Sequence, residues 1–212
     1  MRAGAAVLVF ARAPSPGRTK TRLVPRLGEW GAARLQARLT ARALRVARAA
    51  GIGPVRLCVT PSRGHPYFRR LAAECRVELV AQRGRDLGER MQRALRAALR
   101  RHRGAVLIGT DCPALAPADL RRAARALRGG CDAVFSPAED GGYALVAMRR
   151  ECAEAFNGVD WGTPSVMAQT EARLARGRRR WRRLRTVWDV DRPEDLARLS
   201  AAHLRLATPL RR

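Results

Sequence analysis

The sequence has few of the features that support histidine, thiol or membrane chemistry. None of its three histidines lies in a serine or cysteine motif, so no hydrolase triad is recognisable. Its five cysteines form no CxxC pair, which argues against a zinc site and a disulfide framework. The glycine patterns GxxxxGK[ST] and GxGxxG are absent, which removes the main support for an ATPase or a nicotinamide-dependent oxidoreductase. No apolar run approaches the roughly 18 residues of a membrane span.

Lysine is almost absent, since Lys20 is the only lysine among 43 basic residues. The chain has 18 acidic residues. The net charge of +25 and the pI of about 11.8 are typical of proteins that bind nucleic acids or membrane surfaces. Arginine is nevertheless spread along the whole chain, which indicates a compositional bias rather than a binding stripe. The densest run, RGRRRWRRLR at 176–185, is predicted to be a solvated helix end leading into an edge strand. The alternative is a phosphate-binding stretch with a base stacked on Trp181.

A chain of 212 residues, 47% hydrophobic and 29% charged, is long enough for one large folded domain. Apolar runs of strand length lie at residues 5–11, 55–60, 77–81, 105–110, 133–136, 143–148 and 184–188. Helical periodicity appears between them, at 35–50, 87–98 and 120–127. This alternation predicts an α/β fold with a mostly parallel central sheet, and strands that are apolar on both faces predict a three-layer α/β/α sandwich.

Residues 1–206 are predicted to form a single domain, because no linker or internal repeat interrupts them, and residues 207–212 are predicted to be a basic tail. The first 13 residues resemble a weak signal peptide. They lead, however, directly into a phosphate-loop-like turn, which makes chemical sense only after a buried strand. We therefore expect a retained strand and a cytoplasmic protein.

Ligands of a parallel sheet bind outside the carboxyl ends of the strands, so polar segments that follow strands are the candidate site. The first is RAPSPGRTKTRL at residues 12–23, which suits the phosphates of a nucleotide. Its candidate binding residues are Arg12, Gly17, Arg18, Lys20 and Arg22. Lys20 stands out because the chain otherwise uses arginine, and a compact ammonium suits a phosphoryl oxygen. Chance placement of this lysine is the alternative.

Two acidic segments form a candidate metal site. Asp111 follows a buried strand in GTDCP, and Asp189 and Asp191 follow the last apolar run in WDVDRP. Mg²⁺ or Mn²⁺ is usually held by one or two carboxylates together with phosphate oxygens and waters. Asp111 and a carboxylate of the last segment, Asp189 or Asp191, are therefore the candidate metal ligands. The alternatives are that Asp111 only stabilises its turn and that Asp191 only caps the next helix.

The remaining candidates lie in AQRGRDLGERM, at residues 81–91, and in AEDGGYAL, at residues 138–145. Gln82 and Arg90 carry donors and acceptors that suit a base edge, and Gly88 lets the backbone approach a ligand. Asp140, or Glu139 beside it, would position or deprotonate the hydroxyl of an acceptor. A plain hairpin turn is the alternative.

The chain resembles the glycosyltransferase-A, or nucleotide-diphospho-sugar transferase, superfamily in six stretches: FARAPSPGRTKTRL, QRGRDLGERM, IGTDCPAL, AEDGGYAL, FNGVDWGTPSV and WDVDRPEDL. Within it the chain is most similar to a bacterial family of unknown function described as arsenosugar-biosynthesis-type glycosyltransferases, related to molybdenum-cofactor and phospholactate guanylyltransferases. The resemblance covers nearly the whole chain. It implies that the loop after the first predicted strand, at residues 12–23, binds nucleotide phosphates. It also implies that residues 82–90 lie near the base and that Asp111 and Asp191 lie at the metal.

Together these features predict a metal-dependent transferase with Lys20, Asp111 and Asp140 as candidate catalytic residues. In one mechanism, an acceptor hydroxyl attacks the anomeric carbon of a nucleotide-diphospho-sugar. In the alternative, an acceptor phosphate attacks the α-phosphorus of a nucleoside triphosphate and pyrophosphate leaves, and the single acid of GTDCP favours this branch. An anion- or nucleic-acid-binding module is a weaker hypothesis. The expected partners are the nucleotide and a small-molecule acceptor, with neither a membrane span nor a nucleic acid.

Overall fold

The structure, a computed structural model, describes residues 3–199, so the predicted tail at 207–212 lies outside the described residues. The strands are β1 (Ala3–Arg12), β2 (Val55–Thr60), β3 (Glu78–Ala81), β4 (His102–Ile108), β5 (Ala133–Pro137), β6 (Tyr143–Met148) and β7 (Trp181–Arg183). The α-helices are α1 (Val24–Ala50), α2 (Pro66–Cys75), α3 (Leu87–Leu99), α4 (Pro117–Arg128) and α5 (Val166–Arg176). Short 3₁₀ helices span Thr21–Leu23, Ala153–Ala155 and Pro193–Arg198.

The seven strands form one sheet in the order β3-β2-β1-β4-β6-β5-β7. Only β6 runs antiparallel to its neighbours, β4 and β5; the other described strand pairs are parallel. The predicted α/β fold with a mostly parallel sheet is therefore confirmed. β1 is apolar on both faces and lies near the centre, where Val7 pairs with Val55 on one side and Val106 on the other.

Side chains of β1 alternate between two hydrophobic cores. Val7 and Val9 belong to a core that includes residues of α1, α2 and α4, whereas Leu8 and Phe10 belong to a core with residues of α3 and α5. A small third core contains Leu23, from the end of the first loop, with residues of α1 and Val190. This third core fixes the loop after β1 against the acidic segment that follows β7. Among residues 3–199, no helix has the length and apolar character needed to cross a membrane.

The last strand differs from the prediction. The apolar run at 184–188 was expected to form it, but β7 is Trp181–Arg183, within the arginine run, and pairs with β5 at the sheet edge. An edge strand is held by backbone hydrogen bonds on one side and can expose charged side chains, so it carries little apolar pattern. The predicted nature of the arginine run is confirmed, because α5 ends at Arg176 and an edge strand follows. The run also forms ion pairs, namely Arg179 with Glu154, Arg183 with Glu171 and Arg185 with Asp119.

Candidate active site

The loop after β1, the end of β4 and the segment after β7 meet around the ammonium group of Lys20. This group donates to the carbonyl oxygen of Val190 at 2.5 Å and lies 2.8 Å from Asp111 Oδ1 and 3.9 Å from Asp191 Oδ1. The Lys20 side chain is 4% exposed, whereas those of Asp111 and Asp191 are 52% and 39% exposed. The lysine is thus an internal counter-ion for two carboxylates that face solvent.

The conformation of the first loop directs Lys20 inward. Gly17 adopts a φ of 68°, and an added Cβ there would lie 3.0 Å from a carboxylate oxygen of Glu29. Lys20 itself has a φ of 49° and precedes the 3₁₀ helix that ends at the buried Leu23. Arg18, by contrast, is exposed. The loop therefore buries its ammonium and presents a guanidinium to solvent.

Two further loop arginines are also exposed. Arg12 ends β1, and Arg22 forms an ion pair with Asp191 Oδ2. Both are at the carboxyl edge of the sheet, together with Arg18. This edge therefore offers several cations to an anionic ligand, as the sequence predicts, although it also contains carboxylates that a phosphate alone would avoid.

Asp111 is held by a buried polar network that the sequence did not reveal. Gln36, from α1, donates from Nε2 to Thr110 Oγ1 at 3.0 Å, and both residues are buried. The N–H of Val190 donates to the backbone oxygen of Asp111 at 2.9 Å. Because α1, β4 and the segment after β7 all contribute, the position of Asp111 depends on the whole fold.

Cys112, next to Asp111, is a buried thiol rather than a nucleophile. Its burial raises the pKa well above the usual value, and the negative charges of Asp111, Asp189 and Asp140 raise it further. Thiol reactivity requires the thiolate. All five cysteines are free.

Asp191 does not cap the helix that follows it. Asp195 Oδ2 accepts from the N–H groups of Asp191 at 2.9 Å and Arg192 at 2.7 Å, and the 3₁₀ helix begins at Pro193. The expected alternative role of Asp191 as a cap is therefore wrong. Its carboxylate remains directed to Arg22 and Lys20.

The acidic turn between β5 and β6 forms the other side of the site. Asp140 Oδ1 accepts from the N–H of Gly142 at 2.9 Å, in the tight turn expected of a hairpin. Glu139 is held by Arg198 through contacts of 2.6 and 3.0 Å. Of the two acids, Asp140 is therefore the one that has no ion pair within residues 3–199.

Asp189 belongs to the predicted acidic segment, but the resemblance implies no role for it. Burial raises the pKa of its carboxyl to about 6, and the negative charge of Asp140 adds to this effect. A signal was available, because Asp189 and Asp191 are two residues apart and point to the same side when the backbone is extended. Burial of Asp189, however, depends on distant segments and could not be inferred.

The candidate base-binding residues make contacts within the protein. Gln82 donates from Nε2 to the carbonyl oxygens of Cys58 at 2.9 Å and Ala11 at 3.3 Å, and Arg90 donates to Gly84 O at 3.0 Å. They follow β3, so they lie at the same edge of the sheet as the first loop. Their side-chain donors, however, bind backbone carbonyl oxygens and so stabilise this edge of the sheet.

The space beside Gly88 is filled by protein. An added Cβ would lie only 2.3 Å from the indole nitrogen of Trp161. The glycine therefore allows the loop that carries Trp161 to pack on the start of α3. The same indole contacts Tyr143 and Phe156, which gives this edge an aromatic cluster.

Residues 3–199 contain no cluster of three or more histidine, cysteine, aspartate or glutamate side chains arranged to hold a metal. Asp111 and Asp191 are two half-exposed carboxylates near one ammonium. Mg²⁺ commonly binds through one or two carboxylates together with substrate phosphates and waters. The residues present therefore fit a divalent metal that binds with a nucleotide, rather than a metal held by the protein alone.

Comparison with known proteins identifies the family to which the chain is similar. Residues 43–163 match the family described as "Uncharacterized protein conserved in bacteria (DUF2064)". A candidate nucleotide-diphospho-sugar transferase from Desulfovibrio desulfuricans G20 is 31% identical, with a TM-score of 0.81 over 90% of this chain and 83% of that chain. The search of curated proteins found no match.

More distant structures share the fold. CMP:2-keto-3-deoxy-manno-octonic acid synthetase in complex with CTP is 14% identical, with a TM-score of 0.57 over 92% of this chain and 96% of that chain. Rv0371c from Mycobacterium tuberculosis H37Rv, in complex with manganese, is 21% identical, with a TM-score of 0.55 over 97% and 100%. The predicted transferase class is confirmed by the similarity to the Desulfovibrio desulfuricans G20 protein, and the chain belongs to the bacterial family DUF2064, with the fold of the nucleotide-diphospho-sugar transferases.

Proposed function

We propose that this transferase is metal-dependent and moves a glycosyl group from a nucleotide-diphospho-sugar to an acceptor. The observation that carries the proposal is the meeting of Lys20, Asp111 and Asp191 at the carboxyl edge of the sheet, beside an exposed basic loop. Lys20 contacts Asp111 through Oδ1 and leaves Oδ2 for a metal, whereas Asp191 Oδ2 would become available when Arg22 turns from it to a phosphate. The adjacent arginines supply charge for a diphosphate.

The exposed guanidinium groups of Arg12, Arg18 and Arg22 would bind the phosphates of the donor. Asp111 and Asp191 would hold Mg²⁺ or Mn²⁺, which supplies charge neutralisation on the departing diphosphate. Lys20 keeps the two carboxylates together and adds a fixed positive charge close to the same diphosphate. Residues 82–90, including Gln82, Gly88 and Arg90, would form the wall on the nucleoside side.

The acceptor would lie against the acidic turn. The carboxylates of Asp140 and Asp189 interact electrostatically, and neither forms an ion pair within residues 3–199. The acceptor oxygen would attack the anomeric carbon while the bond to the diphosphate oxygen breaks. Asp140 would take the proton that leaves the acceptor hydroxyl.

Nucleotidyl transfer is the second candidate. GTDCP contains one acid, and the synthetase with the same fold was solved with a nucleoside triphosphate, CTP. The same phosphate loop and carboxylates would then serve attack on the α-phosphorus, with pyrophosphate leaving. In both cases we propose residues 1–206 as one domain, with helices on both faces of the sheet as a three-layer sandwich. A nucleotide donor also favours action in the cytoplasm.

A thermal-shift screen tests the proposal. The protein is mixed with Mg²⁺ or Mn²⁺ and with nucleotide-sugars or nucleoside triphosphates. Ligand at about a hundred times its dissociation constant stabilises the fold by about 2.7 kcal/mol. We expect a metal-dependent shift with a nucleotide-sugar. Asp111→Asn should abolish turnover while the variant stays folded at the assay temperature, with a lower melting temperature because Lys20 loses its carboxylate partner. Preference for a triphosphate would instead support nucleotidyl transfer.

Glu74→Gln is the matched control, because Glu74 is an exposed acid on α2, away from the site. It should keep both the shift and the turnover. Normal turnover in Asp111→Asn, or no metal-dependent shift with any nucleotide, would contradict the proposal.

A further inference from the structure

Negative charge is very unevenly distributed along the chain, although arginine is not. Residues 1–73 contain 15 of the 43 basic residues but only one of the 18 acidic residues, Glu29, so they carry +14 of the net charge of +25. The remaining residues contain 28 basic and 17 acidic side chains. The density of basic residues is similar in the two parts, so the lack of acids is what leaves the first part unneutralised. Such asymmetry is typical of chains that bind a polyanionic partner.

Much of this charge lies on α1 and α2, which pack side by side on one face of the sheet. The two helices share a core, and the Tyr67 hydroxyl of α2 donates to the Ala37 carbonyl of α1 at 2.6 Å. Five exposed arginines on these helices and in the loop before α2 make up what we call the basic face: Arg26, Arg34, Arg38, Arg63 and Arg69. Within residues 3–199, none of the five has an ion pair. The arginine run near β7 differs, because several of its members do have acidic partners.

One large apolar side chain lies on the same helix. Trp30 is 70% exposed, more than any other large hydrophobic side chain in the described part of the chain. It follows Glu29, whose carboxylate packs against Gly17 of the phosphate loop. Trp30 is four positions before Arg34, which is the spacing of neighbours on a helix surface. Arg26 is four positions before Trp30, but the non-helical Gly28 lies between them.

We propose that the basic face is a docking surface for an anionic lipid bilayer, with Trp30 at the level of the headgroups. Arginine binds phosphate groups through paired hydrogen bonds, and tryptophan favours the interface between water and hydrocarbon. Each basic side chain near an anionic leaflet increases the affinity of the protein for the membrane by roughly fivefold. Peripheral docking of this kind needs no membrane-spanning helix.

A single-stranded nucleic acid fits the same face less well. Such ligands stack successive bases on several aromatic rings. The other aromatic residues among the first 73 are Phe10, Tyr67 and Phe68, and each is at most 8% exposed. The basic face therefore offers one ring. The inference does not rest on the proposed function, because vesicle binding requires no nucleotide.

Vesicle sedimentation with the full chain tests the docking surface. Vesicles of phosphatidylcholine alone are compared with vesicles that also contain about 30% phosphatidylglycerol, at about 150 mM salt. We expect binding to the anionic vesicles only. Arg34→Gln with Arg38→Gln should weaken this binding by roughly 25-fold, since two contacts of about fivefold each are removed.

The control is Arg100→Gln with Arg176→Gln, which removes the same charge from the C-terminal ends of α3 and α5. Both arginines are exposed and have no ion pair with any residue in the described range 3–199, and the helices they end cover the other face of the sheet. This control should bind as the wild type does. Equal weakening in the two double variants would overturn the proposal, because it would mean attraction by net charge alone.

Trp30 gives an independent readout. Its fluorescence should shift to shorter wavelength on anionic vesicles, and Trp30→Ala should remove the shift while the other three of the four tryptophans remain. Thermal unfolding of each variant reports that it is folded. No binding to anionic vesicles, or no shift from Trp30, would overturn the proposal. Binding of a single-stranded oligonucleotide that Arg34→Gln with Arg38→Gln abolishes, without vesicle binding, would assign the face to nucleic acid.

Discussion

Lys20 links three segments of the site through one side chain, and its conformation is costly. A non-glycine residue in the left-handed region is usually strained by about 1–3 kcal/mol, and Lys20 has a φ of 49°. A buried ammonium is tolerated only with acceptors, which here are the Val190 carbonyl and the Asp111 carboxylate. The fold therefore retains strain in order to place one charge between two acidic segments.

Replacing Lys20 should affect both stability and turnover. Lys20→Arg places a larger planar group in a pocket that fits a compact ammonium, and Lys20→Met leaves the Val190 carbonyl without its donor. We expect each variant to lose about 1–3 kcal/mol of unfolding free energy. We also expect most of the turnover to be lost, as measured by chemical unfolding and steady-state kinetics. Arg128→Lys is the control and should change neither quantity, because Arg128 is exposed at the end of α4 and lies outside the proposed site. Unchanged stability and turnover in Lys20→Arg would show that this position does not require the ammonium.

Sequence alone identified which residues meet but not how deeply they are buried. Lys20, Asp111 and Asp191 could be grouped because the ends of parallel strands share one edge of a sheet. Burial of Lys20 and Asp189 depends on packing between distant segments, which no local pattern records. The same reason applies to Gly88, since its contact with Trp161 joins segments that are far apart in the chain.

At the scale of elements, strands with a strong apolar pattern were predicted best. The runs at 55–60 and 143–148 coincide with β2 and β6, which are covered by side chains of the cores. The last strand was predicted at 184–188 rather than at β7. The reason is that the exposed side chains of β7 are arginines and that it pairs with β5 through backbone hydrogen bonds. Apolar periodicity reports burial, so it does not mark an exposed edge strand.

Asp119 joins the start of α4 to the segment after β7. Its side chain is 2% exposed and accepts from Arg185 at 2.7 and 2.9 Å and from the N–H of Ala116 at 3.0 Å. Burial by itself would raise the pKa of Asp119. The hydrogen bonds from Arg185 and Ala116, with the charges of Arg185 and Arg122, outweigh burial and lower it.

Asp119→Asn should therefore destabilise the protein most at neutral pH. A carboxyl with a lowered pKa in the folded state contributes stability above its unfolded pKa, and loses it as the pH falls through the folded value. We expect a loss of about 2–3 kcal/mol at pH 7, less than for a fully buried pair because Arg185 is half exposed. Unfolding curves measured from about pH 7 down to about pH 3 should show the difference from wild type shrinking below about pH 4. A difference independent of pH would contradict the ionic role, and Glu74→Gln should change little at any pH.

At the scale of the whole molecule, 43 basic side chains face 18 acidic ones, so most cations cannot be paired. Repulsion among them opposes the folded state, whereas an exposed ion pair contributes only about 0–1 kcal/mol. Repulsion between cations should therefore outweigh the ion pairs. It should be strongest on the basic face, because the first 73 residues, to which this face belongs, contain a single acid.

Salt should consequently stabilise this protein. Raising the ionic strength from about 10 mM to about 100 mM shortens the screening length from about 30 Å to about 10 Å, and we expect the melting temperature to rise by several degrees. Arg34→Gln with Arg38→Gln should raise the melting temperature at low salt and reduce its response to salt, because it removes unpaired charge. Arg179→Gln should do neither, since Arg179 is paired with Glu154. A melting temperature that falls as chloride is added would mean that ion pairs outweigh repulsion. A larger rise with phosphate than with chloride at equal ionic strength would indicate specific anion binding in addition to screening.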